Sequence, residues 1–431
     1  MTLLARRPVV LALVLLAFAM GFHKAFQRPP AAPFAAQPAM PLHQEAPRWQ
    51  SRFVSAQPNV QSHAASLVEL RDGRVRAFWF SGSREGAKDV QIYTAVFNPD
   101  RGEWSPARPM VNSRDIQRGL LRYVKKLGNP VAARAADGTL RLFFVTVSLG
   151  GWAGSSITWM NSGDEGETWS EPQRLITSPF LNLSTLVKGA PFLYADGTLG
   201  LPVYHELFNK FGELLRLDPA GRVIDKQRLS DGNYSLQPVL LIQDAQRALA
   251  LMRYSGPERP HRVIGSASSD GGQHWSRPFK LPLANPNAAL SGVVLADGRM
   301  VVALNNIEEN REVLSLVVSA DGGASWNTVE LLENQYNQRL ERSQYQRVAA
   351  ELARQSDASV RDGTPYAESA LRQQCRAQGC DFEFSYPYLI QTRQGDLHLV
   401  YTWNRSFIKH IQFTPAWLDR HPGSNAHAEL H

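Results

Sequence analysis

Cysteine is scarce in this chain: Cys375 and Cys380 are the only two among 431 residues. That excludes a disulfide-built scaffold, and without a histidine pair beside them a zinc site has little support. CRAQGC fits a small loop disulfide or two free thiols. No metal or other cofactor is expected. Long basic runs are also missing. The net charge is +7, but Arg6, Arg7, Lys24 and Arg28 lie in an N-terminal stretch with no acid, which leaves +3 for the rest. No nucleic-acid motif is present, so no nucleic-acid partner is expected. There is one long apolar run, PVVLALVLLAFAMGF, whose fifteen residues end at Phe22. It is long for the core of a secretory signal and short for a full membrane span. Residues 1–27 therefore read as a cleaved signal or an uncleaved membrane anchor. Either exports the remainder, to a periplasmic or extracellular location. Residues 28–47 are rich in Pro and Ala and read as a linker.

What the chain does have is a turn repeated three times: SGDEGETW at 162–169, SSDGGQHW at 268–275 and SADGGASW at 319–326. Each is Ser-x-Asp-x-Gly-x-(Thr/His/Ser)-Trp. The pattern fits a tight hairpin turn. Asp164, Asp270 and Asp321 accept bonds from loop amides, the glycine takes φ > 0, and Trp169, Trp275 and Trp326 plug the apolar space beneath.

The spacing of these turns sets the architecture. Asp270 and Asp321 are 51 residues apart, and Asp164 and Asp270 are 106 apart, or two periods. A period near 50 residues with several short strands is that of a four-stranded propeller blade. The intervening blade has only LDPAGRV (217–223) at the turn position, and NPDRGEW (98–104) reads as a shortened copy. Strand-like runs such as VRAFWF, LRLFFVTVS and LHLVYTW suit buried blade strands. The expected fold is all-β: a six-bladed β-propeller of four-stranded antiparallel blades over 48–418, followed by a tail at 419–431. Blades fall near 63–108, 127–175, 186–230, 236–280, 289–330 and 384–415, the last closed by a strand from 50–57. The stretch 331–383 breaks the repeat and reads as a helical insertion between blades five and six, either over one face or on the rim.

The turn resembles the Asp-box of sialidases, and the chain is similar to a divergent member of that superfamily. The resemblance implies a site at the axis: three arginines on a carboxylate, an Asp acid, a Tyr nucleophile with a Glu partner, and a further Glu steadying the first arginine. RALALMRYSGPERP and ALNNIEENREV match the segments of the second and third arginines, which become Arg253 and Arg311. FSYPYLIQ gives the nucleophile's place to Tyr386, with Tyr388 as competitor. The glutamate partner of the tyrosine is replaced by Gln237. The first arginine's place falls at or beside His63, and its supporting glutamate is replaced by Thr402. The acid's place falls at Asp89, with Glu85 as rival. Lys188 and Asn129 are further axis candidates for substrate binding. In LPVYHEL, Tyr204 and Glu206 share a face, and Glu206 or His63 is available for proton transfer.

The resemblance thus implies an exported, monomeric glycoside hydrolase acting on an acidic glycan of nonulosonic or uronic acid. The alternatives are a propeller that binds glycans without turnover and a lyase using His and Tyr.

Overall fold

The computed structural model describes residues 6–26, 32–35, 46–55, 60–178, 182–207, 209–232 and 234–421. Six antiparallel sheets follow one another along the chain. Their inner strands contain Gln61–Glu69, Lys126–Arg134, Leu186–Val187, Ser235–Ile242, Ser291–Val294 and Phe384–Gln391. Each inner strand is followed by two or more strands stepping outward, as hairpin connections require. The sixth blade closes the ring: Trp49–Phe53 pairs with Phe407–Phe413, in register from Trp49 with Phe413 to Phe53 with Lys409. The first strand of the propeller thus completes its last blade, and the ring leaves few free edges.

The three repeated turns form as expected. In the first, Asp164 Oδ1 accepts from Thr168 N at 2.9 Å, Gly166 N donates to Ser162 Oγ at 2.8 Å, and Trp169 Nε1 donates to Gly166 O at 3.1 Å. The same bonds recur around Asp270 with Trp275 and around Asp321 with Trp326. Gly166, Gly272 and Gly323 have φ of 89°, 83° and 95°, a region open to glycine at little cost. Of the two degenerate copies, one keeps the bond of the repeated turn, Asp218 accepting from Arg222 N, while in the shortened copy Asn98 accepts from Asp100 N instead. All these turns join a blade's third and fourth strands, which places them on one face. The loops between second and third strands open on the other face.

The insertion folds as two helices, Arg342–Ser356 and Thr364–Gln374, and a short hairpin closed by a Cys375–Cys380 disulfide. Tyr345, Ala349, Ala353, Ala367 and Ala370 pack on Phe53, Phe384, Trp403 and Phe407. The insertion therefore covers blade six and its closing strand at the rim. Ser51 Oγ donates to Ser356 O at 2.6 Å, and Phe53 N donates to Asp357 Oδ2 at 2.9 Å.

Near the N-terminus, Arg6–Phe26 is a helix with exposed side chains over residues 8–23. Among the described residues no helix is long and apolar enough to cross a membrane. Residues 32–35, part of the stretch read as linker, are docked. Phe34 N donates to Ala245 O at 2.9 Å and Ala35 N to Leu193 O at 3.0 Å, while Pro33 O accepts from Ala195 N at 2.9 Å. Phe34 is buried against Phe192, Tyr194 and Gly272. This arm lies across blades three and four on the face of the repeated turns. The segments 1–5 and 422–431 lie outside the described residues.

Candidate functional site

The axis is built by bulged inner strands. In four blades the pairing of the innermost strand slips at one point, and one residue adopts a left-handed conformation: Ala64 (φ 52°), Asn129 (44°), Gln237 (52°) and Tyr386 (55°). For a residue with a side chain this conformation costs on the order of 1–3 kcal/mol. A bulge re-aims the side chain it carries. Pro130, Pro238 and Pro387 follow three of these residues. Proline has no N–H to leave unpaired where the ladder is interrupted.

The re-aimed side chains meet in one network. Asn129 Nδ2 donates to the Tyr204 hydroxyl at 3.2 Å, and Gln237 Nε2 donates to it at 3.3 Å. Gln237 Nε2 also donates to the Tyr386 hydroxyl at 3.5 Å. Arg253 Nη1 donates to Gln237 Oε1 at 3.0 Å and to the Tyr386 hydroxyl at 3.4 Å. The Tyr386 oxygen thus receives two N–H groups. Such donors stabilise negative charge developing on an oxygen.

This network forms one wall of a cavity of about 320 Å³, to which every blade contributes. Arg253 and Arg311 share one holder: Arg253 Nε donates to Asn287 Oδ1 at 2.6 Å, and Arg311 Nη2 donates to Asn287 O at 2.7 Å. A third guanidinium enters from blade six. Arg405 Nε donates to Glu383 Oε2 at 2.6 Å, and Arg405 Nη1 lies 3.3 Å from Glu85 Oε2. Glu383 also pairs with Arg311 at 3.3 Å. Burial pushes the Glu383 carboxyl up, but Arg405 and then Arg311 outweigh it and bring it down to about 2. With Lys210 the cavity lining has four cations against Glu85 and Glu206. That balance favours an anionic occupant.

Two lining groups are shifted toward their neutral forms. Burial raises the Glu206 carboxyl above the usual range, against the pull of Arg253 and Lys210. Burial, with Arg405 adding to it, lowers the His63 imidazole to about 3. His63 is therefore neutral, and its ring lies 4.3 Å from that of Tyr386.

Tyr386, His63, Glu206, Arg253, Arg311 and Asn129 all line the cavity. Gln237 is buried behind them, and Lys188 is buried at the axis against Tyr386 and Tyr388. Asp89 is the exception. Its carboxylate accepts from Ser83 N and Ser83 Oγ, both at 2.9 Å, and so ties together its own exposed hairpin. The lining carboxylate of that hairpin is Glu85. Tyr388 does not share the cavity with Tyr386, because the bulge between them turns it into the core, 2% exposed. Thr402 Oγ1 accepts from Ala64 N at 3.2 Å and serves the strand seam. Sequence reasoning missed Arg405, Glu383, Asn287 and Lys210. Arg405 had one signal: like Arg253, it stands where a blade's second strand runs out.

The model of the BNR repeat-like domain matches residues 73–399. The chain belongs to that family. No curated protein sequence matches it. Among solved structures, this BNR propeller is similar to a Hadza microbial sialidase, with TM-score 0.60, 15% identity and coverage of 82% of this chain and 66% of the other. The NanB sialidase of Streptococcus pneumoniae gives TM-score 0.58 at 11% identity, covering 88% and 71%. A protein of unknown function from Dyadobacter fermentans gives 0.61 at 12%, covering 85% and 98%. At these identities the likeness is one of fold: the BNR propeller is sialidase-like in architecture.

Proposed function

We propose that the protein is a sialidase-like glycoside hydrolase that releases an acidic sugar, a nonulosonic or uronic acid, from a glycan. One observation carries this reading. Arg253 bonds both the Tyr386 hydroxyl and Asn287, and Asn287 also holds Arg311. A single guanidinium thus links the nucleophile's position to the carboxylate clamp. The names of the similar structures support sialylated glycans as the first substrates to try.

In this reading Arg253, Arg311 and Arg405 bind the substrate carboxylate, where guanidinium forks fit well. The Glu206 carboxyl gives its proton to the leaving oxygen as the glycosidic C–O bond breaks. The Tyr386 hydroxyl loses its proton to water in the open cavity, and its oxygen forms a bond to the anomeric carbon. Glu206, now a carboxylate, then takes a proton from water. That water attacks the same carbon, and the tyrosyl C–O bond breaks with its electron pair returning to the oxygen. The disulfide supports an oxidising, exported location.

The test is release of free acidic sugar from a panel of sialosides and uronosides by wild type, Tyr386→Phe and Arg253→Ala. Both variants are expected to lose at least about a hundredfold in kcat/KM. Full activity in both would remove this site assignment. A non-catalytic glycan-binding propeller is the second reading, and Gln237 favours it, because an amide cannot take the phenol's proton. Tight binding with no product from any member of the panel would decide for it. An unsaturated product absorbing at roughly 230 nm would mark a lyase, with the base acting beside a neutralised carboxylate.

A further inference from the structure

Lys188 is the buried titratable group that the proposed reaction leaves without a task. It follows the short inner strand Leu186–Val187 of blade three and is 2% exposed. The next residue has to be glycine: a Cβ at Gly189 would lie 2.1 Å from Pro238 O of blade four. The chain therefore stays close to the axis here, and the lysine reaches across it to blade six. Its Nζ donates to Pro387 O at 3.2 Å. The same atom lies 4.9 Å from the ring centre of Tyr388 and 5.9 Å from that of Tyr386.

No carboxylate pairs with Lys188 among the described residues, and burial alone pushes its ammonium down to about 7. A buried charge without a partner is costly to keep. The surrounding groups offer no ready anion. Glu383 is held by Arg405 and Arg311, Glu206 is kept toward its neutral form, and His63 is neutral. Tyr388 is pushed up by burial, and Tyr204 well up by the same cause. What remains is the oxygen of Tyr386, which opens on the cavity and already receives N–H groups from Arg253 and Gln237.

We propose that Lys188 is a positioning residue for Tyr386, whose buried positive charge stabilises the phenolate from beneath the ring while Arg253 and Gln237 hold its oxygen. The O–H bond of Tyr386 breaks, the electron pair stays on the oxygen, and the proton leaves to bulk water through the open cavity. Charge stabilisation then does what a carboxylate base does when it takes the proton itself. The lysine also fixes the Pro387 carbonyl, and with it the bulge that aims Tyr386. This rests on the reading of Tyr386 as the nucleophile, but it is testable without any substrate.

Tetranitromethane nitrates tyrosine as the phenolate, and peptide mapping by mass spectrometry assigns the rate to each residue. In the full chain near pH 7, where Lys188 still carries much of its charge, Tyr386 is expected to react faster than Tyr123 and Tyr234, which are far more open to solvent at 49% and 47% exposed. If Tyr386 reacts no faster than these two, the proposal is overturned, and this comparison needs no variant. Lys188→Gln removes the charge and keeps a polar amide at this position. It is expected to slow Tyr386 on the order of tenfold while Tyr123 and Tyr234 are unchanged. Lys188→Arg is expected to restore most of the rate. A folded Lys188→Gln protein with the wild-type rate at Tyr386 would also overturn the proposal. Fast nitration at Tyr386 with no cleavage of any glycoside would sink the hydrolase reading and leave this one standing.

Discussion

At Glu206, burial pulls against two cations and prevails, so the carboxyl keeps its proton to a higher pH than the usual value of about 4.3. A general acid must be protonated, so activity that needs it is present below this raised value and lost as pH rises through it. Glu206→Gln is expected to abolish that alkaline limb and lower kcat by about a hundredfold or more, read from pH–rate profiles. The same shift has a stability side. The unfolded chain releases the proton at lower pH than the folded one, so stability declines as pH rises past the ordinary value. Glu206→Gln is therefore expected to melt higher than wild type at pH 7.

Arg405 makes the complementary case. Arg405→Ala strips Glu383 of its nearer partner, and we expect a loss of about 1–3 kcal/mol in denaturant unfolding together with a higher KM for acidic substrates. The sequence located Arg253 and Arg311 because each precedes its own repeated turn by a short count. The resemblance places the first arginine in blade one, where the chain has His63. Arg405 is its neighbour across the closing seam, where Ser62 N donates to Arg405 O at 3.1 Å, yet it lies over three hundred residues away along the chain. Asp89 failed for a related reason: spacing along a hairpin does not say which residue at its tip faces the axis.

At the level of elements, the repeated turns were legible because all their bonds lie within eight residues. The inner-strand bulges carried a quieter signal, a polar or aromatic residue before proline, in Asn129–Pro130, Gln237–Pro238 and Tyr386–Pro387. The seam that closes the ring left no pattern. There, Trp104 Nε1 of blade one donates to His410 Nδ1 at 3.2 Å, and His410 Nε2 lies 3.0 Å from His398 Nδ1. Accepting from Trp104 requires a neutral His410. Burial lowers His398 to about 4 and His410 well below its usual value, with Asp396 opposing at His398 and Arg52 reinforcing at both. A depressed histidine stabilises fully above the unfolded value of about 6.5 and loses that contribution as pH falls. The melting temperature is expected to decline between about pH 6.5 and 4, and His398→Phe with His410→Gln should flatten that slope. The disulfide of the insertion closes a short loop, worth about 2 kcal/mol by chain entropy. Cys375→Ser with Cys380→Ser should lower stability by no more than that and leave activity intact, because no residue of 335–382 lines the cavity.

For the whole molecule, the ring of six blades followed from a count between aspartates, while the asymmetry of its two faces did not. Large apolar side chains left in solvent, such as Leu121 at 93% and Leu149 at 77%, sit on connections of the cavity face. The cavity's excess of cations predicts a salt effect. Raising ionic strength from about 0.01 M to 1 M shortens the Debye length from roughly 30 Å to 3 Å. KM for an acidic glycoside is expected to rise severalfold, and that for a neutral analogue to stay level. The arm at 32–35 escaped notice because its Pro- and Ala-rich composition reads as linker, although Phe34 alone supplies a buried anchor. Its location has a practical corollary. From Phe26 to Ala32 the chain spans at most about 20 Å. A bead or fused carrier joined at the Phe26 end of the N-terminal helix would therefore be tethered near the face of the repeated turns, leaving the mouth of the cavity open to polymers too large to pass beneath it.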